Sequence, residues 1–154
     1  MKFLIILLAA VLLIFSVVPV IKVNAQDPNI SNSPGSYAFG TLDANSNYPT
    51  GLTHFEVENN SGYDVKITIR GSDMTGGVTW ALSNNATPGT DIYGLKAGLD
   101  GESYSITVNK TDNILIGNLT DSSSQSWGLE LWSPTSFSDG VQKSGTVTLT
   151  ATAL

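Results

Sequence analysis

Short runs of alternating apolar and polar residues are the feature that most constrains what this chain can fold into. The clearest run extends from Thr53 to Arg70. Its apolar positions are Phe55, Val57, Tyr63, Val65, Ile67 and Ile69. A period of two residues is typical of a β-strand with one buried and one solvated face. From Ser36 onward no apolar pattern of helical spacing is sustained, so the sequence predicts an all-β protein.

The run from Thr53 to Arg70 is interrupted once, by the turn-forming residues Asn59–Gly62. We therefore predict that its two halves form a hairpin of antiparallel strands. The solvated face would carry acidic residues on the first strand and basic residues on the second. Such cross-strand pairs would help to fix the register.

Clusters of Gly, Asn, Asp and Ser separate further runs of β-type sequence. The additional predicted strands are Tyr37–Leu42, Val78–Leu82, Ile92–Lys96, Tyr104–Val108, Ile114–Leu119, Trp127–Trp132 and Gly145–Ala153. Asp100 and Gly101 are typical of a tight primed turn, in which both residues have positive φ. About nine strands in a single domain, residues 36–154, predict a two-layer antiparallel β-sandwich, immunoglobulin-like or jelly-roll-like, with a closed barrel as the alternative.

Residues 1–25 are predicted to be a secretory signal peptide. Lys2 supplies the positive charge near the N-terminus. Phe3–Val18 form an apolar stretch, and Val23–Ala25 form a cleavage site of small residues. A retained membrane anchor is the alternative. Residues 26–35 are predicted to be a flexible lead-in. In either case we expect the domain to be secreted or held at the cell surface.

Composition excludes several classes of function. The chain has no cysteine and one histidine, which excludes disulfides, thiolate metal sites and clusters of histidine ligands. Without the predicted leader, five basic residues stand against thirteen acidic ones, a formal charge of −8. The basic residues are Lys66, Arg70, Lys96, Lys110 and Lys143. Because they are scattered singly, neither nucleic acid nor an anionic membrane is an expected partner.

No set of catalytic residues stands out. His54 lies on the predicted polar face of its strand, and the sequence contains neither a G-x-S-x-G nor an S-x-x-K motif. Most aspartates adjoin Gly, Asn, Ser or Thr in predicted turns, where their side chains bond to nearby backbone. We therefore predict a protein that is not an enzyme and that holds no cofactor or metal. A glycan hydrolase with two carboxylates and a structural calcium between loops are the alternatives.

The three tryptophans are the most distinctive side chains. Trp127 and Trp132 lie at opposite parity in one predicted strand, so their rings point to opposite faces and only one is expected in the core. Trp80 is predicted to be a core anchor. If Trp132 shares a surface with Tyr48 or Tyr93, the rings form a platform for stacking sugars. The alternative function is therefore a carbohydrate- or cell-wall-binding module.

Five N-x-[ST] sequons make N-glycosylation a candidate modification. They begin at Asn29, Asn59, Asn85, Asn109 and Asn118. Their number is only a mild excess over chance in a chain so rich in Ser and Thr. The pattern therefore permits glycans without selecting among the five positions.

The last predicted strand, within Ser144–Ala153, has apolar Val147, Leu149 and Ala151 on one face and threonines on the other. Such a strand can pair on both edges, and an exposed edge would be an aggregation liability. We expect the strand to be central or covered in its sheet. The alternative is completion by another chain through strand addition. The donated segment would then be the lead-in together with Tyr37, Phe39 and Leu42, within the predicted strand Tyr37–Leu42.

Several motifs carry a resemblance to a known group of proteins. They are Trp80–Leu82, Trp127–Leu129, Trp132–Pro134 and the closing run Gly145–Thr152. On these residues the mature chain, from Ser36 to Leu154, loosely resembles prokaryotic secreted β-sandwich surface proteins, namely WxL cell-wall-associated proteins and TasA-like fibre subunits. WxL proteins carry their second motif near the C-terminus, where this chain has a Thr-rich strand. The resemblance implies a non-enzymatic β module at a surface or in a fibre.

The leading hypothesis is a non-enzymatic extracellular structural or adhesive surface protein. In its most specific form it is a fibre- or pilus-type subunit that assembles by β-strand addition. The expected partners are further copies of this chain, as a homopolymer, or another cell-surface protein. Under the alternative function the partner is a cell-wall glycan.

Overall fold

A computed structural model describes residues 27–154 as two β-sheets packed face to face, with no helix among them. The strands are β1 (Ile30–Ser33), β2 (Asn47–Pro49), β3 (Phe55–Asn59), β4 (Val65–Gly71), β5 (Ala81–Leu82), β6 (Ile92–Leu99), β7 (Ile106–Thr107), β8 (Asn113–Leu119), β9 (Ser124–Trp132) and β10 (Val147–Ala153). The prediction of an all-β sandwich is confirmed. The predicted signal peptide lies outside the described residues.

The two sheets differ in width. The larger contains seven strands in the order β1-β3-β9-β6-β5, with β2 also paired to β9 and β7 also paired to β6. The smaller contains three strands in the order β10-β4-β8. The core lies between them and includes the stacking of Phe55 on Trp127, with ring centroids 4.7 Å apart. Three strands must therefore cover the apolar face of a wider sheet.

The predicted hairpin of residues 53–70 is wrong in its pairing but right in its alternation. The side chains of Phe55, Val57, Val65, Ile67 and Ile69 are all buried. However, β3 pairs with β1 and β9, whereas β4 pairs with β10 and β8. The two apolar faces meet across the core from opposite sheets. The predicted cross-strand ion pairs are consequently absent, because the acidic and basic faces lie on opposite outer surfaces.

A buried asparagine explains how the chain crosses between the sheets. Asn59 is fully buried, and its Nδ2 donates to the carbonyls of Tyr63 (2.8 Å) and Leu119 (2.9 Å). Its Oδ1 accepts from the Ser61 amide at 3.1 Å. Leu119 ends β8, from which the chain also crosses to the larger sheet. One side chain thus ties together both crossovers at this end of the sandwich.

Other sequence predictions also need correction. The predicted strand Tyr37–Leu42 is irregular, and β1 lies inside the segment 26–35 that we predicted as a lead-in without regular structure. At the predicted primed turn only Gly101 has positive φ, at 80°. The Glu102 amide donates to the Leu99 carbonyl at 3.0 Å, as in a type II turn. The predicted strands near β6, β8, β9 and β10 are confirmed with shifted ends, and those near β5 and β7 shrink to two residues each.

Replacing Asn59 with Ala is expected to destabilise the fold by about 3 kcal/mol, because the bonds that Asn59 donates to the buried Leu119 carbonyl and the partly buried Tyr63 carbonyl are lost. Urea unfolding followed by tryptophan fluorescence measures the change. The matched control is Asn60→Ala, since the neighbouring Asn60 side chain is exposed and makes no hydrogen bond within residues 27–154. Equal stability of the two variants would contradict the role assigned to Asn59.

Candidate functional site: the open edge of β10 and its groove

The last strand ends the smaller sheet with one side unpaired. From Val147 to Ala153 it pairs with β4 at every residue, without a register shift. No other strand between residues 27 and 154 pairs with its second side. We expected this strand to be central or covered, and the central position is wrong, because β10 is an edge strand of its sheet.

The hydrogen-bonding pattern shows which backbone groups are free. At one end of the pairing, the Ser72 amide donates to the Thr146 carbonyl at 3.0 Å, and at the other the Leu154 amide donates to the Asp64 carbonyl at 3.1 Å. Because bonded and non-bonded pairs alternate in an antiparallel ladder, the even-numbered residues of β10 bond to β4. The odd-numbered residues direct their N–H and C=O groups to the open side. They are Val147, Leu149, Ala151 and Ala153.

The other sheet edges of the described chain are short or irregular. In the larger sheet, the strands that pair on one side only are β1, β2, β5 and β7, with four, three, two and two residues. In the smaller sheet, the pairing of β8 with β4 contains two register shifts, which bend and blunt the edge. By contrast, β10 has seven residues, regular pairing and no charged side chain. Since short strands, bulges and charges are the usual protections of an edge, β10 alone lacks them.

An apolar groove of about 940 Å³ runs beside this open edge. On the side of the larger sheet its lining includes Phe55, Trp127 and Leu129, and on the side of the smaller sheet it includes Val147 and Leu149. These two residues of β10 point inward and yet are only partly buried. The groove therefore lies where a further strand beside β10 would complete the cover over the core.

Residues 35–42 line this groove without forming a strand. Phe39 and Leu42 pack against the core, and Tyr37 meets the rings of Phe39 and His54 edge-on at 4.8 and 4.6 Å. Within the described chain, no backbone hydrogen bond joins this segment to another residue. The predicted strand-exchange residues are thus brought to the groove, where side-chain contacts alone hold them.

A partly buried ion pair fixes the loop that leads into β10. The Lys143 side chain is 5% exposed, and its Nζ lies 2.6 Å from Asp139 and 5.8 Å from the ring centre of Trp80. The Lys143 ammonium and the Val78 amide hold the pKa of Asp139 below its usual range. Trp80 is buried as predicted and stacks on Phe137 at 5.0 Å. This cluster, also part of the groove lining, was missed in the sequence, although the spacing of Asp139 and Lys143 is visible there.

The three aromatic residues of the predicted sugar platform do not share a surface. Tyr93 is buried, its hydroxyl donates to the Ser72 carbonyl, and burial raises its pKa. Tyr48 pairs with Leu131, which places it on the inward face of the larger sheet. Trp132 lies on the outer face, where its Nε1 donates to Glu130 at 2.8 Å. Of the three residues of the predicted platform, only Trp132 therefore lies on the outer face of the sheet.

Trp132 also has limited room on that outer face. The Lys96 ammonium lies 5.1 Å from its ring centre. Loops cover the strand glycines nearby, so that a Cβ on Gly94 would lie 2.4 Å from the Ala86 carbonyl oxygen and one on Gly128 would lie 2.0 Å from a loop carbonyl oxygen. Loop backbone rather than an open flat sheet thus surrounds this tryptophan.

The remaining candidate residues are dispersed. His54 contacts Tyr37 and Phe55 through ring edges. No group of three or more His, Cys, Asp or Glu side chains with metal-binding proximity occurs in residues 27–154. Across the same residues, no helix is long and apolar enough to span a bilayer. Of the five sequon asparagines, Asn59 is fully buried, Asn109 is half-buried, and Asn29, Asn85 and Asn118 are exposed.

The chain matches no protein-family model, no curated protein and no solved structure. The resemblance to WxL and TasA-like proteins accordingly stays a prediction. What the protein does must be inferred from the edge, the groove and the segment that lines it.

Replacing Asp139 with Asn is expected to lower the melting temperature at neutral pH and to have little effect near pH 2. Because the folded pKa of Asp139 lies below the ordinary 3.8, its stabilising contribution is present above that value and is lost as the pH falls through the folded pKa. Thermal unfolding across this pH range measures the difference. Asp100→Asn, in an exposed turn, is the control, and equal pH profiles for the two variants would contradict the role of the ion pair.

Proposed function

We propose that this chain is a non-enzymatic structural protein of the cell surface whose copies join by β-strand addition at the open edge of β10, as fibre or pilus subunits. One observation carries the proposal: a long, regular, uncharged edge strand lies beside a strip of the core that residues 35–42 cover only in part. An edge of this kind is a template for another strand. The predicted signal peptide supports the location outside the cytoplasm.

Strand addition would use both the unpaired backbone groups of β10 and the groove beside them. An incoming strand bonds to the free N–H and C=O groups of Val147, Leu149 and Ala151, and so extends the smaller sheet. Its inward side chains enter the groove against Phe55 and Trp127. In this mode of recognition the main-chain bonds supply affinity, and the pockets for alternate side chains supply specificity.

The incoming strand is proposed to be residues 37–42 of a second copy. In its own chain this segment already lies along the groove, held by side chains alone. When it is extended, Tyr37 and Phe39 share one face, and Leu42 lies on the other. The same aromatic contacts then form between copies as within one copy, which is the basis of domain swapping. If each copy donates to the next without closing a ring, the product is a filament.

The carbohydrate-binding alternative gains less support. It requires several exposed rings on one surface, whereas Tyr93 is buried and Tyr48 faces inward. Trp132 alone remains on the outer face, with the Lys96 ammonium over its ring. Adhesion through a second copy of the chain therefore has the stronger structural basis.

Replacing Ala151 with Pro is expected to abolish assembly while leaving the fold intact. The Ala151 amide points away from β4, so proline removes no bond of the sheet but blocks an incoming strand. Sedimentation velocity and negative-stain microscopy measure assembly, and melting temperature reports on the fold. Thr150→Pro is the matched control: its amide bonds to β4, and we expect a loss of stability of about 1–3 kcal/mol. A folded Ala151→Pro protein that assembles like the parent would overturn the proposed function.

Replacing both Tyr37 and Phe39 with Ser is expected to weaken assembly about tenfold, because we propose that these rings pack better between copies than within one, and a difference of about 1.4 kcal/mol corresponds to a factor of ten in the equilibrium constant. A peptide with the sequence of residues 36–42 should inhibit assembly of the parent. Ser36→Ala is the control within the same segment. Normal assembly of the double variant, with assembly still blocked in Ala151→Pro, would retain β10 as the acceptor and reject this donor.

A further inference from the structure

The structure sorts the five sequons into two groups by what their side-chain amides do. Asn59 is buried, and both hydrogens of its Nδ2 are bonded, to the carbonyls of Tyr63 and Leu119. Asn109 is half-buried; its Oδ1 accepts from Thr111 and Asn113, and its Nδ2 donates to a further carbonyl at 3.3 Å. A glycan replaces one hydrogen of Nδ2 and requires space around it. The folded chain provides neither at Asn59, and at Asn109 the half-buried side chain is held by bonds to both its oxygen and its nitrogen, which restricts the space for a glycan.

The other three sequons have free amide nitrogens on the surface. Asn29 and Asn118 are exposed, and their side chains make no hydrogen bond within residues 27–154. Asn85 is also exposed; its Oδ1 accepts from the Ser83 hydroxyl (2.8 Å) and the Thr87 amide (3.2 Å), which leaves Nδ2 unbonded. Each therefore presents to solvent the nitrogen atom that carries an N-linked glycan.

The three exposed sequon asparagines lie in or next to edge strands of the two sheets. Asn29 directly precedes β1, the first edge of the larger sheet, and Asn85 follows β5, at the opposite edge. Asn118 lies in β8, the second edge of the smaller sheet. By contrast, β10 contains no sequon, and none of the three exposed asparagines lines the groove.

We propose that Asn29, Asn85 and Asn118 are N-glycosylation sites whose glycans shield the edges at β1, β5 and β8 and leave β10 as the edge open to strand addition. The donor is a lipid-pyrophosphate-linked oligosaccharide. Asparagine Nδ2 forms a bond to the anomeric carbon and gives up a proton, while the bond from that carbon to the pyrophosphate oxygen breaks and the lipid pyrophosphate leaves. A bulky, hydrated glycan beside an edge excludes another strand. The shielding rests on the proposed function, since it directs assembly to β10.

Glycopeptide mass spectrometry of the protein isolated from its own host tests the site assignment. We expect a glycan on Asn29, Asn85 and Asn118, and unmodified Asn59 and Asn109. The absence of a glycan from any of the first three, or a glycan on either of the last two, overturns the assignment. This result does not depend on whether the protein assembles.

The triple variant Asn29→Gln, Asn85→Gln, Asn118→Gln tests the shielding. We expect a small fall in the melting temperature, because Asn85 loses its bonds to Ser83 and Thr87 while Asn29 and Asn118 lose none. We also expect thicker or branched particles in negative-stain microscopy, because the short or bulged edges at β1, β5 and β8 lose their additional cover by glycans. Asn60→Gln is the control, because Asn60 is exposed and is not the acceptor asparagine of any sequon. Particles like those of the parent would overturn the shielding. If the glycans map as expected but Ala151→Pro still assembles, the proposed function fails and the assigned sites remain.

Discussion

The rest of the structure depends on a mismatch in width between the two sheets. Every apolar side chain on the inner face of the larger sheet needs cover, and the smaller sheet supplies three strands. The strip beside β10 is left to residues 35–42, which cover it without backbone hydrogen bonds. Burial of apolar surface is the main driving force of folding. A segment that covers this strip of the core better than residues 35–42 do would therefore bind there in their place.

Polar interactions at one end of the sandwich and in the lining of the groove fix the backbone around this strip. At one end of the sandwich, Asn59 joins both crossovers between the sheets. In the lining of the groove, the partly buried pair of Lys143 and Asp139 holds the loop before β10 against the loop before Trp80. This ion pair fixes one margin of the groove, whereas Asn59 fixes the crossovers. Within residues 27–154, the segment 35–42 that lines the groove forms no comparable hydrogen bond or ion pair.

The sequence predicted which faces are buried better than which strands pair. Alternation correctly placed Phe55 and Ile69 in the core, because burial of a face follows from the period of two. It could not show that β3 and β4 belong to different sheets, since a strand that buries one face fits either layer. The polar strand Ile30–Ser33 gave no periodic signal, and its place is set by pairing with β3. The sequence likewise could not decide whether β10 is a central or an edge strand, because its pattern of residues suits both.

The energetics of exchange explain why both the edge and the groove are needed. Main-chain hydrogen bonds contribute about 0.5–1.5 kcal/mol each, so the free groups of Val147, Leu149 and Ala151 supply a few kcal/mol. Bringing two copies together costs about 4–15 kcal/mol in lost translational and rotational freedom at the standard state. The backbone bonds by themselves do not offset this cost. Burial of aromatic side chains in the groove supplies the remaining free energy only to the extent that the donated segment packs better between copies than within one copy. Assembly therefore depends on protein concentration and on the fit of Tyr37 and Phe39.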